Sequence, residues 1–221
     1  ANSHGAIDSL RSFVPDTKLR YVPNPLLSRP ELSVSRSKTI LNVGRFHRQK
    51  AQDVLIKAFA KIATMHPDWS LALLGEGSLK QELLTLVEDT GLNEQVRWLD
   101  PTPNPSIHYD EASVFVLPSR HEGTPNALIE AMAAGLPAIV SDASSGPLEI
   151  VKPDTDSLVV PVEDVDALAD AMELLVRDPE KCATMGENAK KAVARFDLQT
   201  VLSTWLDILT LPPPQDPTTR A

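Results

Sequence analysis

The run Val114-Phe-Val-Leu-Pro-Ser-Arg-His-Glu122-Gly-Thr-Pro-Asn-Ala-Leu-Ile-Glu130 reads as a buried strand, a loop and the opening turns of a helix. Residues 114–119 are almost continuously apolar, as a strand covered on both faces must be. Gly123 lets the loop backbone approach a ligand, Thr124 suits an N-cap, and Pro125 suits the first helical position, where its missing N–H is not needed. The amides of Asn126, Ala127 and Leu128 then point out of the helix start and form an anion site strengthened by the helix dipole. Glu122 stands on the loop and Glu130 within the helix. Glu130 is the only charge between residues 123 and 141, so a dedicated partner is expected for it. Two carboxylates around free amides can hold a sugar by its hydroxyls and a phosphate by its oxygens.

Outward from this run, the chain alternates strand and helix. Apolar, β-branched runs at 39–44, 71–75, 96–99, 114–119, 138–142 and 157–161 predict six strands. Helical spacing of apolar residues over 53–65, 79–90, 126–134 and 165–176 predicts the helices between them. The link 100–113 carries three prolines early and a short helix later. These features together predict an α/β fold with a doubly wound, mostly parallel six-stranded Rossmann-like sheet, whose ligands bind at the carboxyl ends of the strands. In the flanks, the expectations are a short helix near 5–13, a strand at Leu19–Val22 running into a rigid Pro-Asn-Pro turn, and one or two amphipathic helices over 187–210. The proline-rich end from Leu211 cannot continue a helix and reads as a disordered tail.

Composition narrows the function. The 221 residues carry a net charge of −9, which argues against a general nucleic-acid binder but leaves room for a local basic pocket. Cys182 is the single cysteine, so no disulfide framework exists and a reducing compartment is expected. No apolar run approaches the length of a bilayer span and no signal peptide opens the chain, so the protein is read as cytoplasmic. The first residues, Ala1-Asn-Ser-His, lack a methionine and read as the start of a piece of a longer polypeptide.

Other strand ends add chemistry. After the first strand, Gly44-Arg-Phe-His-Arg-Gln-Lys50 places Arg45 and Lys50 where a planar fork of donors and a movable point charge can converge on one diphosphate. Gly75-Glu76-Gly77 closes the second strand and fits a wall of a nucleotide pocket, followed by Ser78–Gln81, which has the form of a capping box. Ser144-Ser-Gly-Pro147 reads as a structural helix start with Glu149 in its first turn, and Asp154-Thr-Asp156 as a polar turn before a strand. No histidine or cysteine spacing matches a metal site.

The Gly44-Arg45…Lys50 loop, the Gly75-Glu76-Gly77 turn and the E-x7-E stretch 122–130, in this order and spacing, resemble the GT-B glycosyltransferases. They are most similar to the large retaining group 1 family, glycosyltransferase family 4, over residues 20 to about 195. The resemblance implies the C-terminal, donor-binding half of a GT-B fold. Residues 1–36 would be the end of an acceptor domain and the interdomain connection. Residues 37–196 would be the donor-binding domain, and residues 197–221 a helix packing back toward the acceptor domain and then the tail. It further implies that Arg45 and Lys50 neutralise the donor diphosphate, that Glu122 holds hydroxyls of the transferred sugar, and that Glu130 binds the ribose. The backbone around Gly44, Gly123, Thr124, Pro125, Asn126, Ala127 and Leu128 would meet sugar or phosphate, and Gly75, Glu76 and Gly77 would line the base pocket.

The resemblance implies that a nucleotide-diphospho-sugar is the donor and that no metal or other cofactor is needed. The acceptor would be a carbohydrate or lipid-linked molecule in cell-surface polysaccharide or glycolipid synthesis, which allows peripheral attachment at the inner face of the cytoplasmic membrane. Two departures stand out. Ala51 replaces the family's usual glycine after the lysine, and Thr124-Pro125-Asn126 replaces a more frequent aromatic-glycine variant. Without an acceptor domain the isolated chain is expected to bind donor weakly and transfer nothing. A GT-B-fold epimerase or phosphorylase, and a non-catalytic nucleotide-sugar-binding module, remain open as alternatives.

Overall fold

All six apolar runs pair into one sheet. The computed structural model describes residues 1–27 and 36–210. Its strands are β1 (Thr39–Val43), β2 (Ser70–Leu74), β3 (Val96–Leu99), β4 (Val114–Leu117), β5 (Ala138–Ser141) and β6 (Ser157–Val160), ordered β3-β2-β1-β4-β5-β6. Every pairing is parallel, with Ile40 opposite Leu71 on one side and Val114 on the other. Every residue of β4 and β5 is buried, which is why their sequences run apolar instead of alternating.

Successive residues of β1 serve opposite faces. Ile40 packs with Leu71 and Val116 beneath α2 (Gln52–Ala63), α3 (Lys80–Asp89) and α7 (Val165–Arg177). Leu41 packs with Phe115 and Val140 beneath α4 (Ser106–Glu111), α5 (Asn126–Ala133) and α8 (Pro179–Ala192). The remaining helices are α1 (His4–Leu10), α6 (Ser145–Ile150) and α9 (Leu198–Thr210), with a short 3-10 turn over Val193–Phe196 before α9. Strand order reverses between β1 and β4, so the loops leaving these two neighbours diverge and open a crevice at the carboxyl edge of the sheet.

Several local expectations are corrected. No strand forms at 19–22. Instead the backbone of residues 20–22 pairs with Ala1, Val22 N–H donating to Ala1 O at 2.9 Å. Leu26 makes an isolated bridge beside Asp197, its N–H donating to Phe196 O at 2.7 Å, which Pro23 and Pro25, lacking N–H groups, cannot extend into a ladder. The penultimate helix begins at Pro179 and not near 187, with Asp178 Oδ1 accepting the Lys181 N–H at 2.9 Å. Ser78 to Gln81 form no capping box. Helix α3 starts at Lys80 without a side-chain cap, and the Leu79 N–H donates to Phe46 O at 3.1 Å instead. Glu149 sits late in α6, where its carboxylate accepts the N–H groups of His4 and Gly5, both at 2.8 Å, and so covers the start of α1. The turn at Asp154–Asp156 forms as read, with Asp154 at φ 59° and Asp156 accepting the Lys152 N–H at 2.7 Å. The tail from Leu211 lies outside the described residues.

Candidate active site

The β1–α2 loop is held by close backbone packing. Gly44 N–H donates to Leu74 O at 3.0 Å and Phe46 N–H to Glu76 O at 2.7 Å, so residues 44–46 lie directly against 75–77. A Cβ at Gly75 would stand 2.1 Å from Gly44 O, and one at Gly77 would stand 2.3 Å from Phe46 O, so both positions require glycine. Phe46 is fully buried and meets Trp98 edge to face, anchoring the loop from below. A 3-10 turn over Arg48–Lys50 then runs into Ala51, which adopts the left-handed conformation at φ 53° and ψ 37° before α2 begins. That backbone state explains why glycine would suit the position. Gln52, buried, donates to Arg45 O at 3.1 Å and fixes the near side of the loop, while the Arg45 side chain stays exposed. Glu76 is likewise exposed at the rim.

The β4–α5 loop supplies the counter-charge. Lys50 Nζ lies 2.6 Å from Glu122 Oε1, joining residues that are 72 positions apart in the chain. Ser119 Oγ donates to the same oxygen at 2.7 Å, so Oε1 carries both partners. The Glu122 side chain is 7% exposed and that of Lys50 24%, which makes this a largely desolvated pair. Its backbone is pinned from β5. Ser144 Oγ accepts from Glu122 N–H at 3.0 Å and donates to Glu122 O at 2.8 Å, and Ser141 Oγ donates to Ser119 O at 2.5 Å. Gly146 lies so close that a Cβ there would fall 1.5 Å from Gly123 O.

The helix start differs from expectation in one respect. Thr124 is not the cap: its hydroxyl donates to Asn2 O at 2.9 Å, and Pro125 occupies the N-cap position with extended geometry. Leu128 N–H turns back to Pro125 O at 3.1 Å, leaving Asn126 and Ala127 as the α5 amides without a backbone acceptor among the described residues. The Asn126 side chain accepts from Asn24 at 2.8 Å, and Leu128 is fully buried, contributing to the core and not to the crevice.

Glu130 has the dedicated partner its apolar helix demanded. Tyr109 OH donates to Oε2 at 2.9 Å, and among the described residues it is the one side chain that hydrogen-bonds this carboxylate. Glu130 lines a small cavity of about 80 Å³ with Pro25, Leu26, Leu27, Asn126 and Ile129. Burial pushes its carboxyl above the usual range, against the lowering effect of the tyrosine hydrogen bond. A carboxyl raised in the folded state favours folding when protonated. Its contribution is therefore complete below the unfolded value of 4.5 and is lost as pH rises through the higher folded value. Denaturation of the parent and Glu130→Gln across pH 4 to 7 should accordingly show the parent losing stability relative to the variant as pH rises. A constant difference would contradict the assignment.

The crevice therefore joins Lys50, Glu122, the free amides of α5 and the glycine turn 75–77, while Glu130 is engaged separately on the α4 side. Sequence reasoning missed Ser119, Ser144, Gly146 and Tyr109. A serine three residues before Glu122 and the glycine of Ser144-Ser-Gly-Pro147 were available signals, whereas Tyr109 carries no sequence signature linking it to Glu130. Among the described residues no group of three or more His, Cys, Asp or Glu side chains is arranged to hold a metal ion. No described helix is long and apolar enough to cross a membrane.

The chain has recognisable relatives. The family described as glycosyl transferases group 1 matches residues 25–192. An exopolysaccharide phosphotransferase of Streptomyces coelicolor is 35% identical over 196 residues, covering 87% of this chain and 21% of the relative. A diphospho-undecaprenol-linked 4-alpha-N-acetylgalactosaminyltransferase of Campylobacter jejuni is 32% identical over 162 residues, covering 73% and 44%. The chain thus spans less than half the length of these two relatives. Among solved structures, Anabaena HepE in complex with UDP and glucose superimposes with a TM-score of 0.86 at 21% identity, covering 96% of this chain and 62% of that one. This likeness establishes the fold, a Rossmann-like half of the GT-B architecture.

Proposed function

The chain belongs to the glycosyl transferases group 1 family, and on that premise we propose that it is the donor-binding half of a retaining glycosyltransferase that uses a nucleotide-diphospho-sugar. The observation that carries the reading is the Lys50–Glu122 pair, formed at the point where strand order reverses and beside the open amides of α5. In this reading Lys50 leaves Glu122 for the donor diphosphate when donor enters, and Arg45 swings in from the rim. The freed Glu122 then accepts hydroxyls of the sugar. The glycosidic C–O bond breaks with its electron pair leaving on the nucleoside diphosphate, whose charge the two cations and the helix start stabilise. The acceptor hydroxyl attacks the same face, and its proton passes to the oxygen of the departing nucleoside diphosphate as the new C–O bond forms. Glu122 positions and stabilises and forms no covalent bond, Glu130 holds the ribose, and the 75–77 turn lines the base pocket. No metal enters the scheme.

The relative named as an exopolysaccharide phosphotransferase supports a place in polysaccharide synthesis, and the HepE complex with UDP and glucose supports the donor class. The domain division belongs to the same proposal: 1–36 as acceptor-domain end and connection, 37–196 as donor domain, 197–221 as return helix and tail. In its support, α9 buries Val201 while Leu202, Trp205, Leu206 and Leu209 are exposed along its length, a surface that calls for a cover. The isolated chain is expected to bind donor and transfer nothing.

Thermal unfolding with UDP-, GDP- and ADP-sugars tests the reading. A ligand at a hundredfold excess over its Kd stabilises the fold by about 2.7 kcal/mol, a clear rise in Tm. At least one nucleotide sugar should produce that rise. Silence from all three at high concentration would refute the donor-site reading.

A further inference from the structure

We propose that Arg120 is a positioning residue that fixes the spacing between the Lys50 loop and the Glu122 loop from behind the crevice, a role that rests on the donor-site reading above. Arg120 follows β4 by three residues and precedes Glu122 by two, yet its guanidinium binds other loops. Its Nη1 and Nη2 form a fork on Asp53 Oδ1 and Oδ2, at 3.0 and 2.9 Å, at the second residue of α2. Nη1 also donates to Arg48 O at 2.5 Å, inside the turn that presents Lys50. Nε and Nη2 both bind the carboxylate of Glu163 on the β6–α7 loop, Nη2 at 3.0 Å.

The main chain closes the same seam. Arg120 N–H donates to Gln49 O at 2.8 Å, and Gln49 Nε2 donates to His121 O at 2.8 Å. Glu163 holds φ 66°, a conformation a non-glycine residue keeps only where its surroundings impose it. The guanidinium lines a cavity with Arg48, Lys57 and Glu82, and neither Lys50 nor Glu122 lines it, so the strap lies behind the charges it spaces.

Arginine is required by the geometry. Two carboxylates and a carbonyl at fixed angles match a planar fork of five donors, and a lysine ammonium cannot span them. An exposed ion pair would do little, but the Arg120 side chain is only 20% exposed and its contacts with Asp53 are bidentate. Lys50 stands three residues before Asp53, so a shift of the α2 start carries Lys50 with it and loosens the 2.6 Å contact to Glu122. The strap therefore sets the separation at which diphosphate and sugar are read together.

The test is a double-mutant cycle on unfolding, using Lys50→Met, Glu122→Gln and their combination in the full chain, repeated with Arg120→Met. The parent should show a coupling of about tenfold in the unfolding equilibrium constant, falling below twofold with Arg120→Met. A residue that merely stabilises the fold would lower every member of the cycle equally and leave the coupling unchanged. Unchanged coupling, or none in the parent, would overturn the proposal. If Arg120→Met does not fold, Glu163→Gln removes one arm at an exposed position and must weaken the coupling in the same direction; unchanged coupling there overturns the proposal equally. A parallel titration with UDP, GDP and ADP separates the two readings. Lost coupling with no nucleotide bound by the parent sinks the donor site and leaves the strap standing.

Discussion

Gly146→Ala is expected to destabilise the fold by about 3 kcal/mol, near the upper end for inserting a methyl into packed structure. The added Cβ would lie 1.5 Å from Gly123 O, 2.7 Å from Gly123 C and 3.2 Å from Glu122 O. These are backbone atoms, so no side chain can rotate out of the way. Either α6 must retreat or the carboxylate loop must lift. Retreat of α6 strains the Ser144 hydroxyl, which bonds both the N–H and the carbonyl of Glu122. Lifting the loop moves Glu122 away from Lys50. Misplacement of about 1 Å at such a site costs on the order of 100-fold in activity, so turnover in a longer chain should fall even where the variant folds. Chemical denaturation and nucleotide titration of Gly146→Ala read the two effects separately. A variant with parent stability and parent affinity would show that the close approach is not required.

Lys50→Met should be the second large effect, and it should be asymmetric with its partner. Removing the ammonium leaves Glu122 7% exposed with Ser119 as its remaining side-chain donor. An abandoned buried charge costs about 3 kcal/mol, the low end here because Lys50 itself is 24% exposed and partly hydrated. Glu122→Gln leaves the better-solvated member behind and keeps a hydrogen-bonding group beside Ser119, so it should cost less. The double variant should recover part of the loss suffered by Lys50→Met. Affinity for a nucleoside diphosphate should drop about tenfold or more with Lys50→Met, and the parent's affinity should weaken as salt rises, because the lost contact is ionic. Equal stability costs for the two single variants would argue that the pair is solvent-screened.

The sheet was legible because burial on both faces writes itself into sequence as apolar runs, and the residues of β4 and β5 are all buried. Helices α2, α5 and α7 were legible by their spacing of apolar residues, and their ends fall close to the expected positions. Capping was less legible. Thr124 has the right chemistry for an N-cap, but a distant backbone carbonyl, Asn2 O, takes its hydroxyl, and Pro125 takes the N-cap position instead. Long-range contacts were the hardest. Arg45 and Lys50 could be assigned to an anion from local sequence, yet the ion pair between Lys50 and Glu122 depends on β1 and β4 being neighbours. Nothing in the spacing announces that Tyr109, 21 residues from Glu130, reaches it across the α4–α5 contact. The expectation of helix from 187 passed over Asp178-Pro179, an N-cap and N1 pair at which α8 begins.

The backbone amide resonances that move when a nucleotide sugar is titrated into the chain locate the donor site directly. Donor bound in the crevice should concentrate the shifts at 44–51, 75–77 and 122–130, with the amides of Asn126 and Ala127 among the largest if they meet the phosphate as proposed. Shifts grouped instead around the apolar cavity of about 340 Å³ between Trp69, Pro137 and Cys182, with the crevice unchanged, would contradict it.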